Sequence, residues 1–151
     1  MKKIIELINK VENTIPKQQA INSSVSASAV GWHIEHIFLT INVIVDELKK
    51  NKPGKYKSTF SFARIIVFTM NKIPRGRAKS PKIVTPKKFD IETLKMHSEK
   101  TKMKIQELTV IDADNYFTHP FFGNLKLKPT IKFLGIHTKH HLDIISDILA
   151  N

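Results

Sequence analysis

Four long amphipathic segments and no convincing strand predict an all-α bundle. Apolar residues recur at helical spacing in each segment. Pro16, Pro53-Gly54 and Pro129 stand where those helices should stop or start. The chain is 151 residues long, 41% hydrophobic and 25% charged, which suits one domain spanning 1–151 with its own core and excludes a wholly disordered chain. No internal repeat and no second domain is visible.

In the first segment Ile4, Ile5, Ile8, Val11 and Ile15 share one helical side, and Pro16 sets an end near Thr14 or Ile15. The serine-rich stretch 22–28 offers N-caps for a second helix from about Ser26 to Lys50. Its apolar residues, from Val30 through Ile34, Phe38, Ile41 and Val45 to Leu48, cover more than half the circumference, as a central helix requires. Residues 59–71 are apolar and partly β-branched, and read as a short extra helix. Residues 73–89 form a basic connection that Pro74, Pro81 and Pro86 keep extended. Asp90 is placed to N-cap a third long helix, with Glu92 in its first turn and Ile91, Leu94, Thr101, Ile105 and Leu108 as its inner stripe. Residues 112–126 read as a loop carrying Thr-His-Pro-Phe-Phe-Gly. Pro129 fits the first turn of a last helix that continues to about Leu149.

Cysteine is absent, which excludes disulfides, thiolate zinc sites, iron–sulfur clusters and a catalytic thiol. The apolar runs are far shorter than the ~20 residues needed to span a bilayer. Glu6 and Asn9 fall where a signal peptide needs its apolar centre. A soluble cytoplasmic protein with no membrane partner is expected. The net charge of +12 is local: residues 48–89 hold thirteen Lys or Arg and no Asp or Glu, against twelve basic and thirteen acidic residues elsewhere. It concentrates at Lys49–Lys57 and Lys72–Lys88. With only Tyr56 available for base stacking, this window reads as a solvated loop, and nucleic acid is not the expected partner.

The chemistry lies in seven histidines. At roughly 100° per residue, and with His137 as zero, Phe133 lies at about −40°, His141 at +40°, Ile144 at −20° and Ile148 at +20°. His137 and His141 therefore sit inside the stripe that should face the core. Imidazoles four apart on one helical face can present nitrogens to a single metal ion. The glutamate that would follow the first histidine in a zinc peptidase is absent, since residue 138 is Thr. On the second helix His36 shares its face with Trp32, Leu39 and Val43, and His33 competes for the ligand position about 60° away. Three histidines without a fourth protein ligand leave a position open for water or substrate. His119, ahead of Pro120, and His140, at the stripe's edge, are candidates for a supporting role behind the ligands. His97 flanks the inner stripe of the third helix.

Three stretches carry a resemblance. Residues 28–37 (Ser-Ala-Val-Gly-Trp-His-Ile-Glu-His-Ile), 119–125 (His-Pro-Phe-Phe-Gly-Asn-Leu) and 137–142 (His-Thr-Lys-His-His-Leu) look like the DinB/YfiT-like superfamily. The likeness is to a branch whose ending pairs an His-Pro-Phe-Phe-Gly loop with a His-x-x-His-His helix. It covers most of the chain in order and length, though helix one and residues 55–90 resemble nothing sharply. It implies an up-down-down-up four-helix bundle, often dimeric, with a divalent ion on one helix-two histidine and a His-x-x-x-His pair on helix four. In this chain those are His36, His137 and His141. Relatives of that kind include metal-dependent thiol transferases and a thiol-dependent isomerase. The chain's ending and basic loops depart from the thiol transferases, so the substrate does not carry over.

Two functions are expected from these readings. The first is a metalloenzyme with Zn²⁺ or Ni²⁺ on His36, His137 and His141, its open position activating a low-molecular-weight thiol or water. Lysines of 48–89 could then steer an anionic thiol, if that segment reaches the site. The alternative is a non-enzymatic metal-binding or interaction bundle that uses the basic window to meet an acidic partner.

Overall fold

The computed structural model describes residues 1–51, 53–76 and 80–150; Lys52, Arg77 and Lys79 of the basic window lie outside them. Helix α1 (Lys2–Glu12) buries Ile4, Leu7, Ile8 and Val11. It ends slightly before Thr14, whose hydroxyl donates to the Val11 carbonyl at 2.6 Å as the chain tightens into a 3-10 turn at Ile15–Lys17.

Helix α2 (Val30–Lys50) starts four residues later than Ser26, and no serine caps it. Its first amide groups find backbone partners instead. The Val30 N–H donates to the Ala20 carbonyl at 2.9 Å and the Gly31 N–H to the Gln18 carbonyl at 2.8 Å. The folded-back 18–20 segment thus satisfies donors that a side-chain cap would otherwise serve. At Gly31 the approach is so close that a methyl group would collide with the Phe89 ring.

The short helix expected near 59–71 is α3 (Phe62–Met70). The Ser61 hydroxyl caps it by accepting from the Arg64 N–H at 3.2 Å, and Asn71 closes it at a left-handed φ of 49°. Among the described residues of 73–89, Arg75 and Gly76 form a turn, Gly76 at φ 73°, and Lys82–Val84 form a 3-10 turn. Helix α4 (Ile91–Glu107) opens on Asp90, whose carboxylate accepts from the Thr93 N–H at 2.8 Å. Leu94, Thr101, Ile105 and Leu108 are buried as their spacing predicts, but Ile91 is exposed.

The all-α expectation is corrected at residues 112–126. There β1 (Tyr116–His119) pairs antiparallel with β2 (Gly123–Lys126), Phe117 opposite Leu125 and His119 opposite Gly123. The turn holds three residues and returns through Gly123 at φ 69°, the left-handed position such hairpins need. Phe117, Phe122 and Leu125 join the core. Helix α5 (Leu127–Leu149) follows directly, with Pro129 in its first turn.

The side-chain pairs fix the helix directions. Along α2 and α4, Glu35 meets His97, Asn42 meets Thr101 and Asp46 meets Lys104, so these helices run parallel. His33 meets His141 and His36 meets His137, so α2 and α5 run antiparallel. Helix α1 packs on both α4 and α5, and residues of the four long helices share one core around Ile34, Phe38, Ile41, Leu94 and Leu134. Among the described residues no helix is long and apolar enough to cross a membrane.

Candidate metal centre

The antiparallel crossing of α2 and α5 sets the helix-two histidines against the pair on α5. His36, His137 and His141 are all buried, and each offers a nitrogen within 4.8 Å of the others'. The three residues are close enough to hold a metal ion. His36 Nε2 and His137 Nε2 lie 3.2 Å apart. Two nitrogens bound to one tetrahedral ion at about 2.0–2.1 Å stand roughly 3.3–3.4 Å apart, so this pair already has a coordination spacing.

The other ring nitrogens decide where the lone pairs point. His36 Nδ1 lies 2.7 Å from the Val84 carbonyl, which can only accept, so Nδ1 carries the proton and Nε2 faces His137 unprotonated. His137 Nδ1 is buried without a hydrogen-bond partner among the described residues. The metal-free contact between the two Nε2 atoms therefore requires His137 Nε2 to donate, which leaves the Nδ1 lone pair orphaned. A cation between the two rings would take both Nε2 lone pairs, the His137 ring proton then sitting on Nδ1.

His33 does not belong to the triad. It stands behind His141, Nδ1 to Nδ1 at 3.0 Å, while its Nε2 meets the Ser26 hydroxyl at 3.0 Å. With protons assigned outward, His141 donates to His33 and His33 to Ser26, and His141 Nε2 is left free for an ion. Metal-binding histidines are commonly held in this way through the remote nitrogen.

Burial keeps these rings neutral, which is the ligating form. It holds His137 and His141 well below the usual histidine range, with smaller contributions from His36 beside His137 and from His137 beside His141. Burial also lowers His36, against the opposing bond to Val84. His33 is pushed down to about 4, chiefly by burial and then by its histidine neighbours and Arg75.

The remaining histidines have other tasks. His119 Nδ1 accepts from the Phe121 and Phe122 N–H groups at 3.1 and 3.2 Å, and its ring stacks on Phe122 with centroids 4.2 Å apart. It shapes the hairpin turn, separated from His137 by Phe133. His140 is half-buried against His141, with centroids 5.0 Å apart. His97 donates to the buried Glu35 carboxylate at 2.9 Å and ties α4 to α2.

The basic segment does reach the site. The Val84 carbonyl and the Ser80 hydroxyl, 3.3 Å away, both approach His36 Nδ1, and Arg75 lies near enough to His33 and His140 to lower both. Trp32 lies flat on His36, with centroids 5.1 Å apart and planes within 17°. Sequence reasoning missed Ser26, Val84 and Glu35 as partners of histidines. The serines at 22–28 were the only visible signal, and they read as helix caps. No family model, curated protein or solved structure matches the chain.

Proposed function

We propose that the chain is a metalloprotein of the DinB/YfiT-like kind, holding one divalent ion, Zn²⁺ or Ni²⁺, on His36, His137 and His141 and acting on a low-molecular-weight thiol or water. The observation that carries this is the 3.2 Å approach of two buried Nε2 atoms, one of them unprotonated because Val84 holds the remote nitrogen. The parallel α2–α4 and antiparallel α2–α5 pairs support an up-down-down-up bundle. Three imidazoles suit either ion.

Such a centre leaves one position open, and a divalent ion there lowers the pKa of a thiol or water toward neutrality. The chain supplies the rest. Val84 and His33 fix the rings of His36 and His141, and Trp32 covers one face of His36. Arg75 stands near His33 and His140, its charge partly offset by Asp147 at 2.7 Å, and leaves a weak preference for an anionic thiol. Thr138 stands where a zinc peptidase would carry its glutamate, so the chemistry does not follow that pattern.

Cobalt substitution tests the reading. Bound Co²⁺ should show the intense visible bands of a four-coordinate site, and an added thiol should produce a sulfur-to-cobalt charge-transfer band. Cobalt uptake with no response to any thiol or to exchangeable anions would show a closed centre and favour the non-enzymatic bundle.

A further inference from the structure

One side of the molecule combines exposed apolar side chains with a local excess of positive charge. Helix α3 packs inward through Val67 and Phe68, and Arg64 reaches the Thr59 carbonyl at 2.7 Å. Its opposite face is apolar yet turned outward: Phe62, Ile66 and Met70 recur every fourth residue, with Ile65 beside them. Phe60, 82% exposed, precedes the helix, and Phe121 at the hairpin tip joins it, since the Ser61 hydroxyl donates to the Phe121 carbonyl at 2.8 Å. These six side chains are large, exposed and without a polar tip. A chain gains nothing from leaving such a helix face in water, so a partner is called for.

The surrounding charge selects that partner. The cations placed around α3 are Lys57, Arg64, Lys72, Lys126 and Lys132, and among the described residues only Lys126 is paired with a carboxylate, Asp114 at 2.6 Å. Lys57 and Lys72 flank α3 in sequence and are exposed, while Lys132 Nζ stands 5.5 Å above the Phe68 ring. A groove of about 680 Å³ between α3 and the start of α5 is lined by Arg64, Lys126 and Lys132, with Ile65 at its edge. A second copy would bring the same cations against these. An anionic bilayer offers acyl chains for the apolar face and phosphates for the lysines around it.

We propose that this side docks on the surface of anionic phospholipid membranes, α3 lying in the interface with Phe60, Phe62 and Phe121 among the acyl chains. The helix lies on the bilayer and does not cross it, since it has nine residues. The proposal stands apart from the metal centre.

The test is co-sedimentation of the whole chain with phosphatidylcholine vesicles and with equimolar phosphatidylcholine–phosphatidylglycerol vesicles. The Phe60→Ser/Phe62→Ser variant runs in parallel. Both positions are exposed, so unchanged far-ultraviolet circular dichroism should confirm that its fold is intact. Binding at least tenfold tighter to the anionic vesicles, weakened at least tenfold in the variant, is the expected result. No binding to anionic vesicles overturns the proposal, and so does equal binding by the variant, which would reduce the effect to charge. Sedimentation equilibrium supplies the rival occupant's outcome. A dimer that the same substitutions dissociate assigns the face to a second copy and overturns the proposal.

Discussion

His33 touches no ion in the proposed centre, yet it fixes which nitrogen of His141 faces inward, through contacts of 3.0 Å to His141 and to Ser26. His33→Ala should therefore keep one metal per chain but weaken affinity about 10- to 100-fold, measured by competition with a chromogenic chelator. His141→Ala should lose the ion outright. The buried imidazoles also set a pH dependence for the metal-free chain. His33 and His119 protonate at about 4 when folded, while unfolded histidine protonates near 6.5. Between those values the unfolded chain binds more protons, so stability rises with pH and is lost as pH falls from about 6.5 toward 4. Each such histidine contributes on the order of 1–2 kcal/mol of loss by pH 5. The melting temperature of the chelator-treated chain should fall between pH 7.5 and 5, and a flat profile would contradict the burial described. The pair on α5 was legible in sequence, because helical angle alone puts His137 and His141 on the core side, whereas angle left His33 and His36 competing and the choice of His36 came from the family resemblance. The role of His33 was not, because it depends on a loop serine and a neighbouring helix that no angular count relates.

At the scale of elements, the entry to α2 matters most, because that helix carries His36, Trp32 and His33. Its start is held by the Ala20 and Gln18 carbonyls and by the contact of Gly31 with Phe89. Gly31→Ala should cost about 1–3 kcal/mol by overpacking, even though alanine favours helix, and thermal denaturation measures it. A sequence rich in serine ahead of a helix reads naturally as a cap. The carbonyls that replace it come from tertiary folding and leave no local signature. The hairpin was illegible for a related reason. Its strands have four residues each, too short to show alternation, and Pro120 within Thr-His-Pro-Phe-Phe-Gly reads as loop. By contrast, α4 was legible at both its Asp90 cap and its buried stripe, because both signals are local.

Across the whole molecule, charge and hydrophobicity divide the labour. The excess of positive charge falls in the window 48–89, part of which covers His36 while another part frames the exposed face of α3. The histidine cluster links α2 to α5, so an ion bound there should stabilise the fold as a unit rather than one loop. The most direct measurement of the central claim is elemental analysis of the purified, untagged chain after dialysis, beside the His137→Ala variant. The account predicts about one divalent ion per chain in the parent and essentially none in the variant. A folded parent that carries no ion and takes up neither Zn²⁺ nor Ni²⁺ when offered, or a variant with full metal content, would contradict it.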